Sequence, residues 1–179
     1  MSGDTQIKLI VVDLDGTLLN SDSKMSERNE KALKAAMDKG IQVVIATGKT
    51  RYSATEIIKR LGLTTPGIYL QGLALYNADG TVAHQQTLDA NLARQVITFA
   101  EDRGFDVVAY VGDKILVRYE SADGVKFAEK YDEPLPEAVG PLQNILGEMA
   151  IHKLMIIKPG DARKIKALRW QLRKQIDTK

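Results

Sequence analysis

Ile7-Lys8-Leu9-Ile10-Val11-Val12-Asp13-Leu14-Asp15-Gly16-Thr17-Leu18-Leu19 is the stretch whose reading decides the fold. Only Lys8 interrupts the aliphatic run from Ile7 to Val12. Such a run, closed by a glycine turn, predicts a strand apolar on both faces, in the buried middle of a parallel sheet. At its end the character flips, and two carboxylates appear two residues apart. Side chains i and i+2 of an extended segment point the same way, about 6.6 Å apart, a gap that admits a phosphoryl group. One carboxylate would then attack phosphorus while the other manages the leaving oxygen's proton. Gly16 lets the chain turn sharply, and Thr17 adds a hydroxyl and an N–H. Asp-Gly behind an apolar run is by itself an ordinary turn. Two aspartates, a glycine and a threonine at the carboxyl end of a strand, where open α/β sheets bind ligands, point to a site instead.

The next segments support that reading. Ser26 is placed to cap a helix over 27–39, with Leu33, Ala36 and Met37 facing inward and Gly40 ending it. Ile41 to Ala46 reads as a second strand. One right-handed strand–helix–strand unit brings the ends of the two strands together, so Thr47 comes near Asp13 by topology alone. Thr47-Gly48 then enters a helix over 53–61, where Ser53-Ala54-Thr55-Glu56 has capping-box spacing. A loop entering a helix offers N–H groups and a positive dipole end to an anion, and Thr47 adds a hydroxyl.

At this point the chain resembles a known family. Asp13-Leu14-Asp15-Gly16-Thr17-Leu18-Leu19 resembles the first motif of the haloacid dehalogenase superfamily. Ile41-Gln42-Val43-Val44-Ile45-Ala46-Thr47-Gly48-Lys49 resembles its second, a strand ending in Thr-Gly-Arg. The layout resembles the Cof-like phosphatases, which insert a large type-two cap after the third core strand. The resemblance is specific over the first fifty residues and architectural from there to the end of the chain. It implies an α/β fold, with a partial Rossmann-like parallel-sheet core over 1–72 and an inserted α+β cap over 73–179.

The resemblance also implies a Mg2+-dependent phosphomonoesterase acting through an aspartyl-phosphate on a small phosphorylated metabolite, such as a sugar phosphate or a flavin-pathway intermediate. Asp13 would be the nucleophile and Asp15 the acid–base. The metal would lie on the Asp13 carboxylate and the Asp15 carbonyl. Thr47, Gly48, Lys49 and Gly16 would hold the phosphate. Lys49 stands where the family carries arginine, keeping the charge without the bidentate fork, with Arg51 as a nearby substitute. Gln71-Gly72-Leu73 stands where Asn-Gly-Ala is usual. Two other readings share these residues: a phosphomutase of the phosphomannomutase type, and a non-catalytic binding module.

The family's third and fourth motifs, a lysine and an acidic Gly-Asp loop, would follow the cap. Gly112-Asp113 is not the latter, because Val117 and Arg118 stand where its second acid belongs; it reads as a hairpin turn. The expectation is therefore of a truncated chain, inactive by itself. Its first strand would be a bare apolar edge, open to association or to a missing C-terminal segment.

In the remaining sequence, Pro66 to Leu70 reads as a third strand, followed by a hairpin turning at Asn77-Ala78-Asp79-Gly80. Asp89 is placed to cap a helix with Leu92, Val96, Phe99 and Ala100 on one face. Strands over 105–111 and 114–119, a helix over 122–130, a proline-punctuated loop and a strand over 151–157 follow. Asp161 would cap a last helix to about Ile176, apolar along Ile165, Leu168, Leu172 and Ile176. Its basic face carries Arg163, Lys164, Lys166, Arg169, Arg173 and Lys174 and reads as a solvated surface. His84 and His152 lack ligand spacing. The 179 residues carry a net charge of +2, which gives no case for nucleic acid, and no cysteine, which excludes disulfides and a thiolate nucleophile. No apolar run reaches the length of a membrane span, and the first residues are not a signal peptide. The cytoplasm is the expected compartment, and an organelle protein stripped of its transit peptide would read the same.

Overall fold

A computed structural model of the chain describes residues 6–157 and 162–176. The chain divides into two units, Met1–Gln86 with Tyr131–Glu133, and Thr87–Lys130 with Pro134–Lys179.

In the first unit, β1 (Leu9–Val12), α1 (Glu27–Asp38) and β2 (Gln42–Ile45) make the expected βαβ element. β1 and β2 run parallel, with Val12 opposite Ile45. Ser26 caps α1, its hydroxyl accepting from the Asn29 N–H at 3.1 Å. α2 (Arg51–Leu61) leads to β3 (Gly67–Tyr69), and a parallel bridge from Ala46 to Ile68 places β3 beside β2. β4 (Ala74–Tyr76) and β5 (Val82–Gln85) continue antiparallel from β3. Because both are hydrogen-bonded to it in series, β4 and β5 belong with β3 in the first unit. Asp79 is a turn residue, its carboxylate accepting from the Thr81 N–H and hydroxyl.

The bare apolar edge expected for β1 is observed, in place of the covered middle that its aliphatic run by itself suggests: β2 is its one ladder partner among the described residues, and Leu9 and Val11 are 49% and 54% exposed. The capping residue of α2 is Thr50, three residues before the expected cap Ser53, and its hydroxyl accepts from the Ser53 N–H. Ser53 is the acceptor's partner, not the cap, because the chain becomes helical as soon as it leaves Lys49-Thr50.

The second unit is α+β. α3 (Ala90–Glu101) is capped by Asp89, whose carboxylate accepts from the Asn91 and Leu92 N–H groups. β6 (Asp106–Val111), β7 (Lys114–Val117), β8 (Glu137–Ala138) and β9 (Lys153–Ile157) form a sheet in the order β8-β7-β6-β9. α4 (Ala122–Tyr131) and α5 (Ala162–Ile176) complete it. The buried stripe of α3 is Ala93, Ile97 and Ala100, packed on Val107 and Ala109 of β6 and on Leu116. Leu92, Val96 and Phe99, named from the sequence, lie at its half-buried margins, since two small alanines let the helix sit closest to the sheet along their own line. Gly112-Asp113 is the turn between β6 and β7, with Gly112 at φ +57°. The basic side chains of α5 are exposed, and Leu168 is buried beneath them. Asp161, the expected cap of α5, lies outside the described residues. Among the described residues no helix is long and apolar enough to cross a membrane.

Candidate active site

The site is built at the carboxyl ends of β1 and β2. After Val12 the chain winds into a tight turn in which the Leu14 carbonyl accepts from the N–H groups of Thr17, Leu18 and Leu19 at 2.8–3.2 Å. Leu14, Leu18 and Leu19 are buried, which anchors the turn from beneath. With Leu14 driven inward, Asp13 and Asp15 on either side of it are left exposed to solvent. The two aspartates sit in a turn beyond the end of β1 rather than on an extended segment, so the exposure of both comes from the burial of Leu14 between them. The Asp13 Oδ1 accepts from the Leu14 N–H at 2.7 Å, fixing the carboxylate's orientation. Gly16 sits at φ +72°, a conformation that strains any residue carrying a Cβ, although a methyl there would meet nothing within 4 Å. Conformation, not space, selects glycine.

β2 delivers Thr47 to the same place. The Ala46 N–H donates to the Val12 carbonyl at 2.9 Å and the Thr47 N–H to the Ile68 carbonyl at 2.9 Å. Thr47 is thus held between β1 and β3, and its Oγ1 accepts from the Lys49 N–H at 3.2 Å. Asp13, Thr47 and Gly48 line one open cavity of about 370 Å3 together with Ala46, Ile68, Gln71 and Gly72. Gln71 and Gly72 come from a short turn after β3 in which Leu70 and Gln71 both have positive φ, 52° and 60°. The turn is clamped by backbone bonds, Leu70 N–H to the Lys49 carbonyl and Gln71 N–H to the Thr47 carbonyl. A methyl on Gly48 would stand 3.2 Å from the Gln71 Cγ, so glycine lets the two loops close up.

Lys49 is 5% exposed, and its ammonium lies 3.6 Å from the Asp15 Oδ1 while donating to the carbonyl of Tyr131. A buried ammonium needs such partners. Arg51 is no substitute for it: its guanidinium lies over the Tyr76 ring, 5.9 Å from the centroid, and against Gly80 of the β4–β5 turn. Glu133 carries no signal in the sequence. Its Oε2 accepts from the hydroxyls of Thr50 at 2.9 Å and Ser53 at 2.8 Å.

Among the described residues no three or more His, Cys, Asp or Glu side chains gather into a metal cluster. Asp13 offers one hard carboxylate at the open cavity, which Asp15 does not line, and such a donor suits Mg2+, which is often held by one or two carboxylates and completes its octahedron with water.

With this geometry in hand, the class is plain. The chain belongs to the haloacid dehalogenase-like hydrolase family, whose profile matches residues 10–179. Within it the layout is Cof-like: a parallel core whose third strand is followed by a hairpin and then by an α+β unit. The chain is 33% identical over 157 residues to the chloroplastic endoribonuclease YBEY of Arabidopsis thaliana, covering 83% of this chain and 27% of that protein. It is 38% identical over 85 residues to the 5-amino-6-(5-phospho-D-ribitylamino)uracil phosphatase YcsE of Bacillus subtilis, covering 48% of this chain and 34% of the relative. A haloacid dehalogenase-like hydrolase from Bacteroides thetaiotaomicron superposes with a TM-score of 0.84 at 22% identity, covering 97% of this chain and 66% of that one. The chain therefore spans 27% and 34% of the length of these two curated relatives.

Proposed function

We propose that this chain supplies the nucleophile, the acid–base and the phosphate-binding loop of a Mg2+-dependent phosphomonoesterase. The observation that carries the reading is the shared cavity: Asp13 and Thr47, thirty-four positions apart in the sequence, line one opening at the ends of two paired parallel strands.

Asp13 would attack phosphorus through a carboxylate oxygen, so that a bond from Asp13 to phosphorus forms as the bond from phosphorus to the ester oxygen breaks. Asp15, two residues on, would give its proton to the departing alkoxide. It would then take a proton from the water that attacks the aspartyl-phosphate, releasing phosphate and restoring Asp13. Thr47 would donate its hydroxyl to a phosphoryl oxygen and the Gly48 backbone would approach it closely. Lys49 would supply positive charge beside Asp15, and Gly16 would leave the turn open to the phosphate. Held by Asp13 and the Asp15 carbonyl, Mg2+ would offset the charge of the transferring group. A small phosphorylated metabolite is the proposed substrate, and the name of YcsE, a phosphatase of a phosphoribitylamino-uracil, supports a flavin-pathway intermediate.

The test is Asp13→Asn in the full natural protein, read as phosphate release from a panel of phosphorylated metabolites with and without MgCl2. A fall of roughly ten-thousand-fold is expected, the scale of losing a covalent nucleophile. Undiminished Mg2+-dependent release by the variant would reject the assignment.

A further inference from the structure

The residues Tyr131–Glu133 are separated from the rest of the first unit by more than forty positions of the second, yet they join it. Two features show how they are held. Glu133 places one carboxylate oxygen on two hydroxyls, Thr50 and Ser53, which are themselves 2.9 Å apart and buried at the start of α2. Two residues earlier, the carbonyl of Tyr131 takes a hydrogen bond from the Lys49 ammonium. Asp132 between them has φ +51°, a left-handed conformation that a non-glycine residue keeps only when its neighbours hold it. Pro134, immediately after, is buried and limits the freedom of Glu133.

These contacts form one chain of restraint. The hydroxyls of α2 fix Glu133, Glu133 fixes the tripeptide, and the tripeptide's carbonyl fixes the ammonium that stands 3.6 Å from Asp15. A lysine side chain has four rotatable bonds and a point charge, unlike the rigid fork of arginine. Its aim must therefore come from an acceptor on its far side. We propose that Glu133 is a positioning residue for this site, pinning the Tyr131 carbonyl where it directs the Lys49 ammonium onto Asp15. The functional consequence rests on the phosphoryl-transfer reading above, whereas the positioning of Lys49 is tested without it.

The experiment observes the Lys49 ammonium by 1H–15N NMR in the unliganded protein, with the signal assigned by its loss in Lys49→Ala. In the native protein a buried, hydrogen-bonded ammonium exchanges its protons slowly. Glu133→Ala should speed that exchange about tenfold or more, the scale of one lost hydrogen bond. Glu133→Gln keeps an acceptor oxygen for both hydroxyls and should return the rate to within about threefold of native. Should Glu133→Ala fail to fold, Ser53→Ala removes one of the two donors at a helical position that favours alanine, and should give a smaller acceleration in the same direction. Unchanged exchange in Glu133→Ala, or in Ser53→Ala where that variant stands in, overturns the proposal, as does a Glu133→Gln variant as fast as Glu133→Ala. Absence of phosphatase activity in the native protein would count against the functional reading alone, since the exchange rates do not depend on turnover.

Discussion

β1 and β6 are both short and apolar, and they end up in opposite situations. β6 is paired on each side, with β7 and β9, and Val107, Val108, Ala109 and Tyr110 are all buried. β1 is paired with β2, and every second residue of it faces solvent. Sequence composition does not separate the two, since Leu-Ile-Val-Val is if anything the more hydrophobic. Burial depends on what lies on the strand's flanks, a property of the whole fold. The chemistry-bearing residues nevertheless sit at the end of β1. A carboxylate pair needs water and substrate to reach it, and the carboxyl end of a strand in an open sheet leaves both free access whatever lies on the strand's flanks.

The largest effect expected from this contrast is in the second unit. Ile97 is fully buried between α3 and β6, so Ile97→Ala should cost about 3 to 4 kcal/mol, the lost transfer energy plus the cavity left behind. Denaturant titration reads this directly. A cost near 1 kcal/mol would mean that the α3–β6 layer collapses around the hole and that the contrast with β1 is overstated.

Next in size is Thr50→Ala at the start of α2. Thr50 is fully buried, caps the helix and donates to Glu133. Losing the cap costs about 1 kcal/mol, and leaving the Glu133 carboxylate one donor short adds a similar amount. The sum should appear as a loss of about 2 kcal/mol by thermal or chemical denaturation. Thr50→Ser keeps the hydroxyl and should recover most of it.

Thr50 also shows where the sequence stops being legible. The nearness of Asp13 to Thr47 is legible because its signals are local: a strand, a turn, and a βαβ unit of fixed hand. The α2 cap was misplaced because Thr50 and Ser53 are both capping residues three positions apart, and only the backbone after Lys49 decides between them. Arg51 looked equivalent to Lys49 by charge, but two steps along a helix start turn a side chain toward another neighbour, here Tyr76. Glu133 was invisible, since 83 positions separate it from Thr50 and no periodicity links an acid in a proline-rich loop to a hydroxyl at a helix start. The α3 stripe expected along Leu92, Val96, Phe99 and Ala100 meets the buried line only at Ala100, because the closest packing follows Ala93, Ile97 and Ala100.

A smaller effect, confined to a pH window, is expected at His152. Burial pushes its pKa below the ordinary histidine value, and the Nδ1 accepts from the Gly112 N–H at the β6–β7 turn, which requires the neutral ring. The unfolded chain therefore takes up the proton first as pH falls through about 6.5, and stability is full above that value and declines below it. His152→Gln should flatten the stability curve between about pH 5 and 7. An equal slope in both proteins would place the pH dependence elsewhere.

The smallest effect is expected at β1 itself. Leu9 is half exposed, so Leu9→Lys removes little buried area and should cost under about 1 kcal/mol. What it changes is the edge. A strand with one edge unpaired among the described residues and carrying exposed aliphatics is a template for pairing with another copy, and a charge placed there opposes it. Sedimentation velocity across a concentration series should show less self-association in the variant than in the native chain, at nearly unchanged denaturation midpoint. If Leu9→Lys instead destabilised the protein as strongly as Ile97→Ala, then β1 would be covered in solution as β6 is. The difference between the two strands would then be one of partner rather than of fold.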